Sequence, residues 1–192
     1  MKEIVVVNEK EVFVGLGSNL GDSARTLLKA WSHLGKQRGV TLSALSPPFL
    51  SSPVDMASNH WFTNAVGQVA TTHSPDQFLN ILLDTESYFG RVRDDDQHGF
   101  SDRTIDLDLL YFGVVILDNP RLTLPHPHRR DRLFVLAPMA AIAPDFVDPE
   151  NGQTITDLHQ QLLHTLTSNQ TSIQEINQRS WPEDLFKEMS NV

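Results

Sequence analysis

Cysteine is absent from this chain, which excludes disulfides and any metal site built on thiolates. Basic residues are scarce. Fifteen Lys and Arg stand against 24 Asp and Glu, for a net charge of −9, the wrong sign for a surface that grips nucleic acid. No apolar run approaches the roughly 20 residues needed to span a bilayer. The N-terminal run Ile4 to Val7 is too short for a signal-peptide core and has acidic neighbours, so a soluble, cytoplasmic protein without a targeting segment or membrane association is expected. Internal repeats and domain linkers are also missing, and 192 residues suit a single domain with a substantial core. This balance leaves room for an anionic small substrate, held by a local cluster of Arg.

The most informative stretch is Arg103-Thr104-Ile105-Asp106-Leu107-Asp108-Leu109-Leu110-Tyr111-Phe112. Ile105, Leu107 and Leu109 alternate with Asp106 and Asp108 at period two, the mark of a half-buried strand. Both carboxylates then share one face, with Cα atoms roughly 6.6 Å apart. Asp is unfavourable in strands, and two buried carboxylates need a cation or a proton. Hard oxygen ligands at this spacing suit Mg²⁺, especially Mg²⁺ already carrying phosphates. From these ten residues alone, an amphipathic strand with its polar face in water remains the competing reading.

Along the chain, Ile4–Val7 and Glu11–Leu16 read as strands. Gly17–Asp22 is a strand-to-helix turn with Asp22 as N-cap, its glycine spacing fitting neither the dinucleotide fingerprint nor the P-loop. Ala24, Leu27, Leu28, Trp31 and Leu34 form a helical stripe closed by Gly35. Val40–Leu45 is a strand, and the Pro-rich segment Ser46–Trp61 is a long loop. Phe62–Thr71 is a strand. Ser74-Pro75-Asp76-Gln77 opens a helix as a capping box with Pro in the first turn, and Phe78, Ile81, Leu82 and Tyr88 supply its apolar stripe. Arg91–Asp102 is a second long loop. A hairpin turns about Asp118–Arg121, Arg129–Ile142 is helical with Pro138 kinking or ending it, and Thr154–Leu166 is an amphipathic helix. The polar tail beyond Thr167 has no assigned role. This order predicts an α+β fold, a ferredoxin-like α/β sandwich with a largely antiparallel sheet.

Six segments taken together resemble one family. Gly15–Asp22, Phe62–Val66, Gly90–Arg93, Arg103–Asp108, Leu124–Pro127 and Arg132–Pro138 are similar, in order, to the motifs of the 6-hydroxymethyl-7,8-dihydropterin pyrophosphokinases of folate biosynthesis. The likeness runs from about residue 12 to residue 148. It implies the sandwich already reached, and Mg²⁺-dependent transfer of diphosphate from ATP to the pterin's hydroxymethyl oxygen, with AMP released. Its partners would be small molecules, ATP and a pterin; the sequence itself does not reveal the oligomeric state, for which a monomer is the default.

The resemblance also implies roles. Asp106 and Asp108 match the pair that holds two Mg²⁺ ions. Arg91, Arg93, Arg103, His126 and Arg132 match positions that grip phosphates or the departing AMP, guanidinium suiting this through its bidentate fork. Glu86 matches a carboxylate facing the nucleotide, and Leu109 and Thr123 match residues beside the adenine. Phe62 and Phe134 match an aromatic pair around the pterin ring; read from the residues alone they are equally two core phenylalanines. Asn64 matches the residue that reads the pterin edge, for which an amide offers both donor and acceptor. Ser51 and Val54 match loop positions of the same pocket.

The sequence departs from the family at Asp94-Asp95-Asp96-Gln97-His98-Gly99-Phe100-Ser101-Asp102, a connection longer and more acidic than usual. Leu83 stands where a polar pterin-facing residue is common, and His128 where Arg is common. A divergent paralogue that binds a pterin or nucleotide without turnover is therefore the alternative, and a purely structural ferredoxin-like domain a third possibility.

Overall fold

Strand β4 (Phe62–Thr71) is buried along almost its whole length because both its edges are paired and most of both its faces is covered. It belongs to a computed structural model that describes residues 9–53, 60–91, 102–169 and 174–184. On one edge lies β1 (Lys10–Ser18), antiparallel over all nine of its residues. The other edge is shared: β2 (Val40–Leu45) pairs with the Gly67–Thr71 half, and β3 (Phe49–Ser51) with Phe62–Asn64. Beyond β1 lies β5 (Asp106–Phe112), and beyond β3 lies β8 (Ile176–Gln178), giving the path β5-β1-β4-β3-β8 with every pairing antiparallel. The expected α+β sandwich with an antiparallel sheet is what the chain forms.

Helix α1 (Ser23–Leu34) starts as expected, with Asp22 accepting from the Arg25 amide at 3.1 Å. It buries Leu27, Leu28, Ala30, Trp31 and Leu34. Gly35 closes it for a spatial reason. Its backbone stays right-handed at φ −66°, and a Cβ there would come within 2.6 Å of Leu42. Helix α2 (Pro75–Tyr88) has the full Ser74/Gln77 capping box. Its stripe differs at one end: Tyr88 is exposed and stacks on His33 at 4.5 Å, while Thr85 and Glu86 turn inward.

These two helices cover one face of the sheet, over Val12, Val14, Leu16, Val69, Leu107 and Leu109. The opposite face carries a second helical layer. There α3 (Leu133–Ile142) and α4 (Ile155–Asn169) pack on Phe13, Val66, Leu110 and Tyr111. Alternation along β5 breaks at Leu110, because the register with β1 slips between Phe13 and Val14. This bulge lets Leu110 and Tyr111 both face the second layer while Leu109 and Phe112 face the first.

Other expectations need correction. Residues 127–131 are a turn, Arg132 is the extended N-cap, and α3 begins only at Leu133. Arg129 is fully buried and bonded to Asp148 at 2.8 and 3.1 Å, so its side chain sits in an ion cluster below the helix start. Pro138 lies inside α3 and does not end it. The supposed loop 46–61 contains β3, and the tail left without an assigned role supplies β8. The hairpin forms as β6 (Leu117–Asp118) and β7 (Thr123–Leu124). The strand read at Ile4–Val7 lies outside the described residues. Among the described residues no helix is long and apolar enough to cross a membrane.

Candidate active site

The layer of α3 and α4 does not cover its face of the sheet completely. Where it stops, residues that continue the same pleats change from apolar to polar: Phe13 gives way to Gly15 and Gly17 on β1, Val66 to Asn64 on β4, and Leu110 to Asp108 and Asp106 on β5. The uncovered patch is the floor of a cleft with about 650 Å³ of open space including its mouth. Gly15, Gly17, Ser51, Ser52, Phe62, Asn64, Arg103, Asp106, Asp108, Arg132 and Phe134 are among its walls. Eight residues expected at the site from the sequence are thereby brought together.

Register explains the arrangement. Gly17 stands opposite Asn64 on one side and Asp106 on the other, and Gly15 opposite Asp108. A Cβ on Gly17 would meet the Asn64 amide oxygen at 3.2 Å. Glycine at these two positions keeps the floor low between an amide on β4 and two carboxylates on β5. The sequence reading placed Gly15 in a strand and Gly17 in the turn after it, and missed their shared role; the signal was their period-two spacing.

At the carboxylate end, Asp106 is held by two guanidiniums. Arg91 pairs with it and also donates to Glu86 at 2.5 Å, and Arg103 reaches it at 3.1 Å. Glu86 is buried on α2 and also accepts from the Leu107 amide at 2.8 Å. It therefore meets the site through Arg91 and the β5 backbone, and does not line the cleft. Arg91 is held above the ordinary guanidinium range: burial opposes this, but Asp106 and Glu86 outweigh it.

Asp108 is less well compensated. Burial, then the nearby Asp106 charge, push its carboxyl up to about 7, even though 35% of the side chain meets solvent. His126 comes within 4.0 Å of it. Its imidazole is pushed down to about 4, first by burial and then by Arg132 and His128, so it is neutral at neutral pH.

At the other end, the Asn64 amide donates to the Ser51 hydroxyl at 2.8 Å, both side chains being buried. The faces of Phe62 and Phe134 carry Arg103 and Arg132, each 5.6 Å from the ring centre. The same two guanidiniums thus bridge the aromatic end and the carboxylate end. Asn19 went unnoticed in the sequence. It accepts from the Arg103 amide at 2.8 Å, donates its own backbone N–H to the Arg103 carbonyl, and donates its amide to Asp102 at 2.6 Å. It thereby fixes the start of the strand that carries Asp106.

Other expected residues lie elsewhere. Leu109 is in the α1–α2 core with Leu124, and Thr123 on β7 donates to Asp118; neither lines the cleft, and Leu83 does not either. Arg93 and Val54 fall outside the described residues, as do Asp94–Ser101. Of the acidic loop, Asp102 is described; it binds Asn19 and pairs with His60 at 2.7 Å.

Comparison with known proteins places this chain in a family. Residues 13–144 match the model of 7,8-dihydro-6-hydroxymethylpterin-pyrophosphokinase (HPPK). The 2-amino-4-hydroxy-6-hydroxymethyldihydropteridine pyrophosphokinase of Methylorubrum extorquens is 37% identical over 145 residues, covering 76% of this chain and 89% of that one. The enzyme of the same name from Pseudomonas aeruginosa is 38% identical over 149 residues, covering 78% and 90%. Among solved structures, an HPPK-DHPS in complex with substrates superposes with a TM-score of 0.69 at 12% identity, and the Plasmodium falciparum HPPK-DHPS with 0.68 at 13%. These cover 85% and 86% of this chain but 45% and 46% of theirs, so the chain spans less than half of those longer proteins. The chain belongs to the HPPK family.

Proposed function

We propose that this protein transfers a diphosphoryl group from ATP to the hydroxymethyl oxygen of 6-hydroxymethyl-7,8-dihydropterin. The oxygen attacks the β-phosphorus, the bond from that phosphorus to the α–β bridging oxygen breaks, and AMP leaves while the hydroxyl proton is lost. The observation carrying this is the shared cleft: two carboxylates and two guanidiniums at one end, a buried amide and two phenyl rings at the other. A phosphate chain fits the first half and a flat heterocycle the second.

Asn64, Phe62, Phe134 and Ser51 would hold the pterin. Arg91, Arg103 and Arg132 would hold phosphate, with His126 at the same end, neutral and able to accept or donate one hydrogen bond. Phosphoryl transfer of this kind depends on alignment and charge compensation more than on a strong base. Arg91 and Arg103 already lie against Asp106, so two guanidiniums are positioned at the carboxylate end.

The donor set also fits Mg²⁺. Among the described residues no cluster of three or more His, Asp or Glu could hold a metal, so Asp106 and Asp108 would supply two hard oxygens, and phosphate oxygens and water the others. The raised Asp108 carboxyl marks a place where positive charge is short. Bound there as two ions, Mg²⁺ supplies polarisation of the phosphate oxygens and charge neutralisation. The cleft is built from one chain, so this reading needs no second copy, and residues 1–192 would act as a single domain. ATP as co-substrate favours a cytoplasmic setting.

AMP release from ATP, Mg²⁺ and the hydroxymethyl-dihydropterin tests the proposal. Turnover dependent on all three is expected; folded protein that releases no AMP above background contradicts it.

A further inference from the structure

The C-terminal segment 174–184 lies beyond the family match, which ends at residue 144. It is tied to both walls of the cleft. On one side, β8 pairs with β3 so that Ile176 lies opposite Ser51, and Glu175 exchanges two bonds with Ser52: its carbonyl accepts from the Ser52 amide at 3.0 Å, and its amide donates to the Ser52 hydroxyl at 3.2 Å. Both serines line the cleft. Below this the chain stays fastened, with the Arg179 amide on the Pro48 carbonyl at 2.8 Å and the Trp181 indole on the Ser46 carbonyl at 2.9 Å.

On the other side, the Gln174 side chain meets the start of α3. Its amide oxygen accepts from the Leu133 N–H at 2.7 Å, and its amide nitrogen donates to the Asp131 carbonyl at 2.9 Å. Helix α3 needs this. Its N-cap residue, Arg132, gives it no side-chain cap, and its first turn holds no acidic residue, so its first donor would otherwise lack a partner from its own segment. The two residues flanking Leu133 are Arg132 and Phe134, a guanidinium and a phenyl ring of the cleft.

We propose that Gln174 is a positioning residue: as a cap borrowed from the tail, it sets Arg132 and Phe134 against the Ser51–Ser52 wall and so fixes the width of the pterin end. This rests on the reading of the cleft as a pterin site. Gln174→Ala in the full-length chain raises the pterin KM roughly three- to tenfold, the equilibrium weight of one helix cap. It leaves kcat within about twofold, because the phosphate end keeps Arg91 and Arg103 against Asp106 even where Arg132 shifts. Gln174→Glu keeps the acceptor for the Leu133 N–H and suits a helix N-terminus but loses the donor to the Asp131 carbonyl, so it recovers part of the lost affinity.

Amide hydrogen exchange supplies the second readout. In Gln174→Ala, Leu133 exchanges faster while the amides of α4 keep their wild-type rates. An unchanged pterin KM, or exchange quickened equally in α3 and α4, overturns the inference. If the wild-type chain binds no pterin, the reading of the cleft falls, and the strap then stands or falls on the Leu133 exchange rate alone.

Discussion

Two ion clusters sit on β5 and its neighbours, and they are built to opposite ends. Around Arg129 every charge is answered. Asp148 accepts two guanidinium bonds and the Tyr111 hydroxyl, and Glu150 bonds both Arg129 and Arg130. Burial works against charge there, yet the Arg129 bonds hold the Asp148 carboxyl below its ordinary range, and Arg129 is held above its own. Around Asp108 the balance fails: one carboxyl is pushed up to about 7 and a neighbouring imidazole down to about 4. A sealed cluster holds the fold together, and an unbalanced one in a cleft has charge to offer a ligand.

The widest separation between the clusters should come from removing a charged group at each. Asp106→Ala and Asp108→Ala are expected to lower turnover by roughly 10²–10³-fold without lowering denaturant midpoints. Arg129→Ala should do the reverse, costing about 3–5 kcal/mol because Asp148 is left charged and buried. Urea unfolding and AMP release on the same preparations check both. Asn64→Ala should weaken pterin binding by about tenfold through a lost buried amide, with ATP binding unchanged, as read by calorimetry.

The smallest effects are on pH dependence, and they have opposite signs. Asp108 has a folded pKa above its unfolded one, so the wild type loses stability as pH rises from about 4 to about 7. Asp108→Asn should therefore have a higher Tm than wild type at pH 8, with the gain shrinking as pH falls through that window. Asp148 has a folded pKa below its unfolded one. Its contribution is present above the unfolded carboxylate range and is lost as pH falls through the depressed value, so Asp148→Asn should flatten the acid limb of the stability curve.

Much of this was legible in the sequence because it is local. The Asp106–Asp108 alternation, the Ser74/Gln77 box and the Asp22 cap each declare themselves within a few residues, and strands β2 and β4 keep the bounds read for them. What escaped depends on partners distant in sequence. β3 is three residues among prolines and is a strand only because Phe62–Asn64 and Ile176–Gln178 flank it. Gly35 looked like a conformational stop but is small to admit Leu42. Arg129 read as a helical residue, since nothing near it announces Asp148 nineteen positions away. Within the site, the carboxylates and aromatics were recognisable by motif, whereas Gly15, Gly17 and Asn19 matter through what stands opposite them.

A crystal structure of the protein with Mg²⁺, a nonhydrolysable ATP analogue and the hydroxymethyl-dihydropterin tests the account most directly. It predicts metal between the Asp106 and Asp108 carboxylates and the nucleotide's phosphates, with the pterin ring against Phe62 and Phe134 and its edge on Asn64. Nucleotide bound with both carboxylates free of metal, or a pterin seated away from Asn64, would contradict it.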